Sequence, residues 1–233
     1  AMTSLRHYNF ETQAWDLGIY AQTFWNTAHG RVMQNSIEEV ERHLGVHMNP
    51  FLFLLVPGYA VFPSPYYLLL IQTLALALGA WPLYLLARKV LANKNLATVI
   101  SATYLLYPAL HWVNWYDFHP IAFLIPLFLA TFYFAETKNW KWFAVFALLS
   151  ASVQEDAVLV VAFLGIYLIF KKEYKVGLAI FFLSALYFII SIKLVMPYFG
   201  GGLLRLDRYD PAVFYSSALF LKTVFGAPKL LYL

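Results

Sequence analysis

Long apolar runs separated by short polar breaks make up most of this chain, and its start departs from that pattern. Residues 3–48 are polar to amphipathic, the longest such stretch present. Within it Leu17, Tyr20, Phe24 and Ala28 recur at helical spacing, and Gly30 supplies a stop. Trp15, Tyr20 and Trp25 are the amphipathic aromatics expected at headgroup level. Residues 16–29 therefore predict a helix lying on a membrane surface. Ser36 followed by Glu39 gives a capping-box pattern over 36–42.

The next run, 50–62, is apolar but only about 13 residues long, where a crossing needs roughly 20. It contains Pro57-Gly58 and ends at Pro63-Ser64-Pro65. It reads as a non-crossing helical hairpin arm. Crossings are then expected at 66–87, 96–112, 120–135, 140–153, 157–170 and 174–196, with a partial seventh starting at Pro211. The predicted fold is all-α, a polytopic transmembrane helical bundle. Residues 1–65 form a juxtamembrane segment on one face, and 66–233 form the transmembrane domain. Ala1-Met2 and the apolar stop at Leu233 both read as cuts in a longer chain.

Composition supports this reading. Charged residues make up 12% of the chain, about half the share of a soluble domain. There is no cysteine, so thiolate metal sites and disulfides are excluded. The net charge of +4 forms no basic stripe or aromatic-basic platform, which excludes nucleic acid as a partner. The charges sort by loop instead. Arg88, Lys89, Lys94, Lys138, Lys141, Lys171, Lys172 and Lys175 fall in one set of loops, against Glu136 and Glu173. The other set takes ten of the twelve carboxylates and all six histidines. The positive-inside rule puts the first set in the cytoplasm and the second outside.

Four constellations fall on that outer face: Asp16 with Gln22, His43 with His47, Asp117 with His119, and Glu155-Asp156. Each has a plain structural alternative. Asp16 is either a helix N-cap or a reacting carboxylate. Asp117-Phe118-His119-Pro120 is either a loop leading into a helix or part of a site. Glu155-Asp156 is either a solvated hairpin or a functional pair, since carboxylates near hydrocarbon are costly. Gly45 between His43 and His47 weakens a helical metal pair, and catalytic zinc takes three protein ligands. No P-loop, dinucleotide fingerprint, nucleophile elbow or His-Glu-x-x-His occurs.

An ordered set of short motifs adds a resemblance. These are Trp15-Asp-Leu-Gly-Ile-Tyr-Ala-Gln22, Trp25-Asn-Thr-Ala-His-Gly30, His43-Leu-Gly-Val-His-Met-Asn-Pro50, Leu-Leu-Ile-Gln72, Tyr104-Leu-Leu-Tyr-Pro108, Asp117-Phe-His-Pro120 and Gln154-Glu-Asp156. Together they resemble the domain of unknown function 2079 membrane family, grouped with the GT-C glycosyltransferases. The resemblance implies GT-C-like juxtamembrane helices and a catalytic aspartate in the first outer loop, matched here by Asp16. Many relatives carry a second carboxylate where Leu17 stands. The implied donor is a polyprenyl-phosphate-linked sugar, transferred with inversion to an acceptor outside the cell membrane. Asp16 would be the base. His47, His119, Gln22 and Asn49 would bind the lipid phosphate. A magnesium or manganese ion on Asp117, Glu155 or Asp156 would offset its charge. The rival class is a multi-pass transporter or a non-catalytic lipid-binding protein. The absence of an internal repeat and the placing of carboxylates at helix ends favour the enzyme.

Overall fold

The computed structural model describes residues 2–201. The described residues are helical, with no sheet and a single antiparallel bridge between Gln34 and Arg42. The chain belongs to a membrane: among the described residues three helices are long and apolar enough to cross one, Pro65–Leu91, Lys94–Trp115 and Tyr174–Tyr198. Only 28%, 17% and 17% of their apolar windows are buried. Leu70, Leu74, Phe163, Phe182 and Leu186 point outward, as lipid-facing side chains do.

Ahead of these lie α1 (Met2–Tyr8), a π-helical turn (Ala14–Gly18), α2 (Ile19–Ala28) and α3 (Val56–Val61). The first span joins α4 (Pro65–Leu78) to α5 (Ala80–Leu91) through Gly79. Ser64 caps α4 by accepting the Tyr66 N–H. The second span joins α6 (Lys94–Leu106) to α7 (Pro108–Trp115). It breaks at Tyr107, which is extended, because proline removes a donor and disfavours the helical region before it. Three shorter apolar helices follow: α8 (Leu124–Glu136), led by a 3-10 turn, α9 (Trp140–Ala151) and α10 (Ala157–Phe170). Then come α11 (Tyr174–Ile190), a second π turn and α12 (Met196–Tyr198).

Two sequence expectations change. Residues 36–42 form no helix. Asn35 takes the capping role, its Oδ1 accepting from the Ile37 and Glu38 N–H groups, while the Ser36 hydroxyl turns to Gln22. Residues 2–8, part of a stretch read as polar to amphipathic with no element assigned there, form α1. The run 50–62 folds into a 3-10 turn, Pro50–Leu54, and α3, neither long enough to span. The partial seventh crossing from Pro211, with Asp207 and Asp210, lies outside the described residues.

Hydrogen bonds confirm how the loops group. At one end the Phe51 N–H donates to Ser152 O, and Arg6 donates to Trp115 O. At the other, Tyr167 and Lys171 reach Glu136, and Lys138 pairs with Glu173. The N-terminal segment thus shares an end with the Trp115–His119 and Ser152–Asp156 turns.

The two ends are held together differently. Around the N-terminal segment a core of Leu17, Tyr20, Phe24, Met33, Phe51, Leu52, Leu68, Leu69, Phe118 and Phe123 is closed from solvent. Between membrane helices small residues allow backbones to meet. A Cβ on Gly165 would lie 2.8 Å from the Gly177 carbonyl oxygen, so α10 and α11 touch there.

Candidate functional site

Asp16 lies in the π turn that opens α2, and the Gln13 residue before that turn gives it no side-chain cap. Asp16 does not serve as an N-cap. Its Oδ1 stands 3.3 Å from His119 Nε2, with the two side chains 32% and 30% exposed. The contact joins residues far apart in sequence, at the end of the helices where the charge pattern put them.

His119 is oriented by its other ring nitrogen. Nδ1 lies 3.0 Å from the Asp117 carbonyl oxygen. A carbonyl only accepts, so Nδ1 carries the hydrogen and Nε2 faces Asp16. The Tyr116 ring packs 5.1 Å away from the imidazole, centroid to centroid.

Asp117 itself is turned inward and nearly fully buried. Its carboxylate meets Arg6 Nη1 at 3.3 Å and accepts the Gln13 N–H at 2.9 Å. Arg6 also donates to Trp115 O and Glu11 O. These bonds tie the segment before the π turn to the α7 end.

The second histidine pair is held by Glu155. One carboxylate oxygen meets His47 Nδ1 at 2.9 Å, and the other accepts the Met48 N–H at 2.9 Å. Burial pushes the Glu155 carboxyl up, but the His47 hydrogen bond and charge, with the Met48 N–H, outweigh it and leave it below its ordinary range. Asp156 goes the other way. Burial raises it, and the neighbouring Glu155 charge adds to that.

His43 is fully buried between Glu38, 2.9 Å from Nδ1, and Asn49, whose Nδ2 is 3.0 Å from Nε2. The Tyr20 ring contacts His43 at 5.0 Å and Phe118 at 5.1 Å. Burial raises the Tyr20 phenol, and the charges of Glu38, Asp16 and Glu155 raise it further. Three carboxylates from three segments thus surround one buried, neutral ring.

The expected residues divide accordingly. Asp16, His119, His47 and Glu155 are partly open to solvent. Asn49 is buried on His43, and Gln22 fastens the loop after α2 through Ser36 N–H and Oγ. Asp117, Glu155 and Asp156 do not form a metal-ligand set. No three His, Asp or Glu side chains converge in that way among the described residues. Asp117 is already taken by a guanidinium. Among the described residues these three carboxylates offer magnesium or manganese no shared set of ligands. The sequence reading missed Arg6, Glu38 and Gln72 as site partners. Gln72 had a signal, a lone amide inside an apolar run; Arg6 and Glu38 had none.

A family model of predicted membrane proteins, DUF2079, matches residues 6–232. The chain belongs to the DUF2079 family. The match takes in every residue of the site. No curated protein and no solved structure matches the chain.

Proposed function

We propose that this DUF2079 protein is a membrane glycosyltransferase of GT-C type. It moves a sugar from a polyprenyl-phosphate donor to an acceptor on the extracytoplasmic face of the cell membrane. The observation that carries the reading is the Asp16–His119 contact at the membrane-surface end of the helices. The basic loops around Lys138 and Lys171 are joined to each other through Glu173 and Glu136, and the positive-inside rule favours the cytoplasm for them.

In this reading Asp16 takes the proton from the acceptor hydroxyl as the oxygen attacks the anomeric carbon. The bond from that carbon to the phosphate oxygen breaks, and the configuration inverts. His119 holds the carboxylate in place and shares the proton it has gained. His47, fixed by Glu155, meets the charge that develops on the departing phosphate. No step passes through a metal ion. The apolar groove bounded by Leu83, Tyr104, Val113, Ile121, Ile125 and Phe128, about 490 Å³, has the lining a prenyl chain requires.

The test is sugar transfer by the full chain in membranes, supplied with polyprenyl-phosphate-linked sugars. Asp16→Asn should lower transfer by about 10²–10⁴-fold while the helical spectrum and unfolding midpoint persist. Transfer retained by that variant would overturn the assignment of the base.

A further inference from the structure

We propose that Gln72 is the positioning residue of this site: it clips the Asp117–His119 turn so that the His119 ring meets Asp16. The inference rests on the reading of Asp16 and His119 as the reacting pair.

Gln72 lies in α4 between Ile71 and Thr73, in the run Pro-Tyr-Tyr-Leu-Leu-Leu-Ile-Gln-Thr-Leu-Ala-Leu-Ala-Leu. It is completely buried. An amide there is costly unless all of it is bonded. Every bond its side chain makes goes to the backbone of another segment. Oε1 accepts the His119 N–H at 2.7 Å. Nε2 donates to Asp117 O at 3.3 Å and to Val113 O at 3.4 Å. One planar group therefore brackets Phe118 from both sides, and the Phe118 ring is buried against Tyr20 and Phe123.

The Asp117 carbonyl is the decisive atom. It accepts from Gln72 Nε2 and also from His119 Nδ1. The carboxamide that fixes this carbonyl thereby fixes the imidazole tautomer and the direction of Nε2. The turn has other fastenings that do not touch the ring: Arg6 on the Asp117 carboxylate, and Thr73 Oγ1 donating to Asn114 Oδ1 at 2.8 Å. Losing Gln72 should leave the segment in place and free the imidazole.

The experiment uses the full chain in lipid nanodiscs, labelled with ¹⁵N in the histidine rings. His119 is assigned by the signal lost in His119→Gln. In the native protein His119 should show the Nδ1–H tautomer, and Asp16→Asn should shift its ring nitrogen signals. In Gln72→Leu the His119 signal should move to a mixture of tautomers and stop responding to Asp16→Asn. Gln72→Glu keeps the acceptor for the His119 N–H but, ionised, loses the donor to Asp117 O. It should show the same tautomer mixing, and it serves as the test if Gln72→Leu does not fold. Transfer should fall about 10²-fold in kcat, as for a small misplacement of a reacting group, with KM changing less than about twofold. An unchanged His119 tautomer and Asp16 response in both variants would overturn the proposal, even if transfer is lost. If Asp16→Asn keeps its transfer activity while Gln72→Leu still mixes the tautomers, the assignment of Asp16 as the base falls and the orienting of the His119 ring by Gln72 stands.

Discussion

Removing Arg6 alone should destabilise the protein more than removing Arg6 and Asp117 together. The Asp117 side chain is 3% exposed, and its carboxylate has two partners, Arg6 at 3.3 Å and the Gln13 N–H at 2.9 Å. Arg6→Met keeps the apolar stem and deletes the countercharge. Breaking a buried pair from one side costs about 3–5 kcal/mol. The guanidinium is 14% exposed and the Gln13 N–H remains, which favours the lower end, about 3 kcal/mol. Asp117→Asn leaves Arg6 with the Trp115 and Glu11 carbonyls. It should cost about 1.5 kcal/mol, the low end for a hydrogen bond with one charged partner. The double variant has no stranded charge and should sit near the Asp117→Asn value. The coupling energy is then about 3 kcal/mol in magnitude, equal to the cost of Arg6→Met alone.

The assay is unfolding in mixed micelles by titration with SDS, followed through the fluorescence of the seven tryptophans. A coupling energy within about 0.5 kcal/mol of zero would refute the reasoning, because that is the scatter of independent sites. It would mean that Asp117 is neutralised by something other than Arg6. The measurement also separates two roles. An Asp117 that anchors the N-terminal segment couples to Arg6, whereas an Asp117 that binds a cation would shift the midpoint on addition of Mn²⁺ and not couple.

Two further outcomes follow from the packing. Glu155→Gln keeps one acceptor and removes the charge that holds His47 and the Met48 N–H, so it should cost about 1 kcal/mol at pH 7. The folded Glu155 carboxyl lies below its ordinary 4.5, so that stabilisation is complete above pH 4.5 and disappears as pH falls through the lowered value. A gap between native and variant midpoints that persists unchanged well below that pH would contradict the pairing. Gly165→Ala should destabilise by about 1–3 kcal/mol, because the new methyl meets the Gly177 carbonyl oxygen at 2.8 Å. In an unconstrained helix the same change stabilises by about 1 kcal/mol, so the sign seen in SDS unfolding tells whether α10 and α11 touch.

The bundle was legible because apolar runs report helices directly, and the polar breaks between them carry the caps. Asn93 and Asn139 accept from the first-turn N–H groups of α6 and α9. Boundaries failed where a tertiary contact outweighed a local pattern. Ser36 and Glu39 carry the spacing of a capping box, but Ser36 bonds Gln22 and the chain stays a loop held by Asn35. The grouping of loops at two ends was legible from charge alone. The pairing of individual polar residues was not. Asp117 and His119 are two residues apart and looked like one constellation. In the fold their side chains part, one toward Arg6 in the core and one toward Asp16 near the surface. Residues two apart share a face in a regular strand, so it is the turn around the buried Phe118 that parts them.

That division explains why the site needs a buried amide at all. Hydrophobic burial does not hold helices together inside lipid, so the bundle relies on close backbone contacts such as Gly165 on Gly177. Such contacts fix where helices lie but not how a loop at their end is turned. The apolar core around Phe118 and Tyr20 places the turn, yet it has no means of choosing a tautomer. Directional bonds must come from a residue within reach of the turn and rigidly mounted. α4 meets that need, because Gln72 is held in the first spanning helix and reaches His119 N–H and Asp117 O together. The site therefore depends on two separate supports. Arg6 and Glu155 fasten the surface segment by charge, and the Glu155 contact should respond to pH. Gln72 sets the ring by neutral hydrogen bonds in a dry environment and should not.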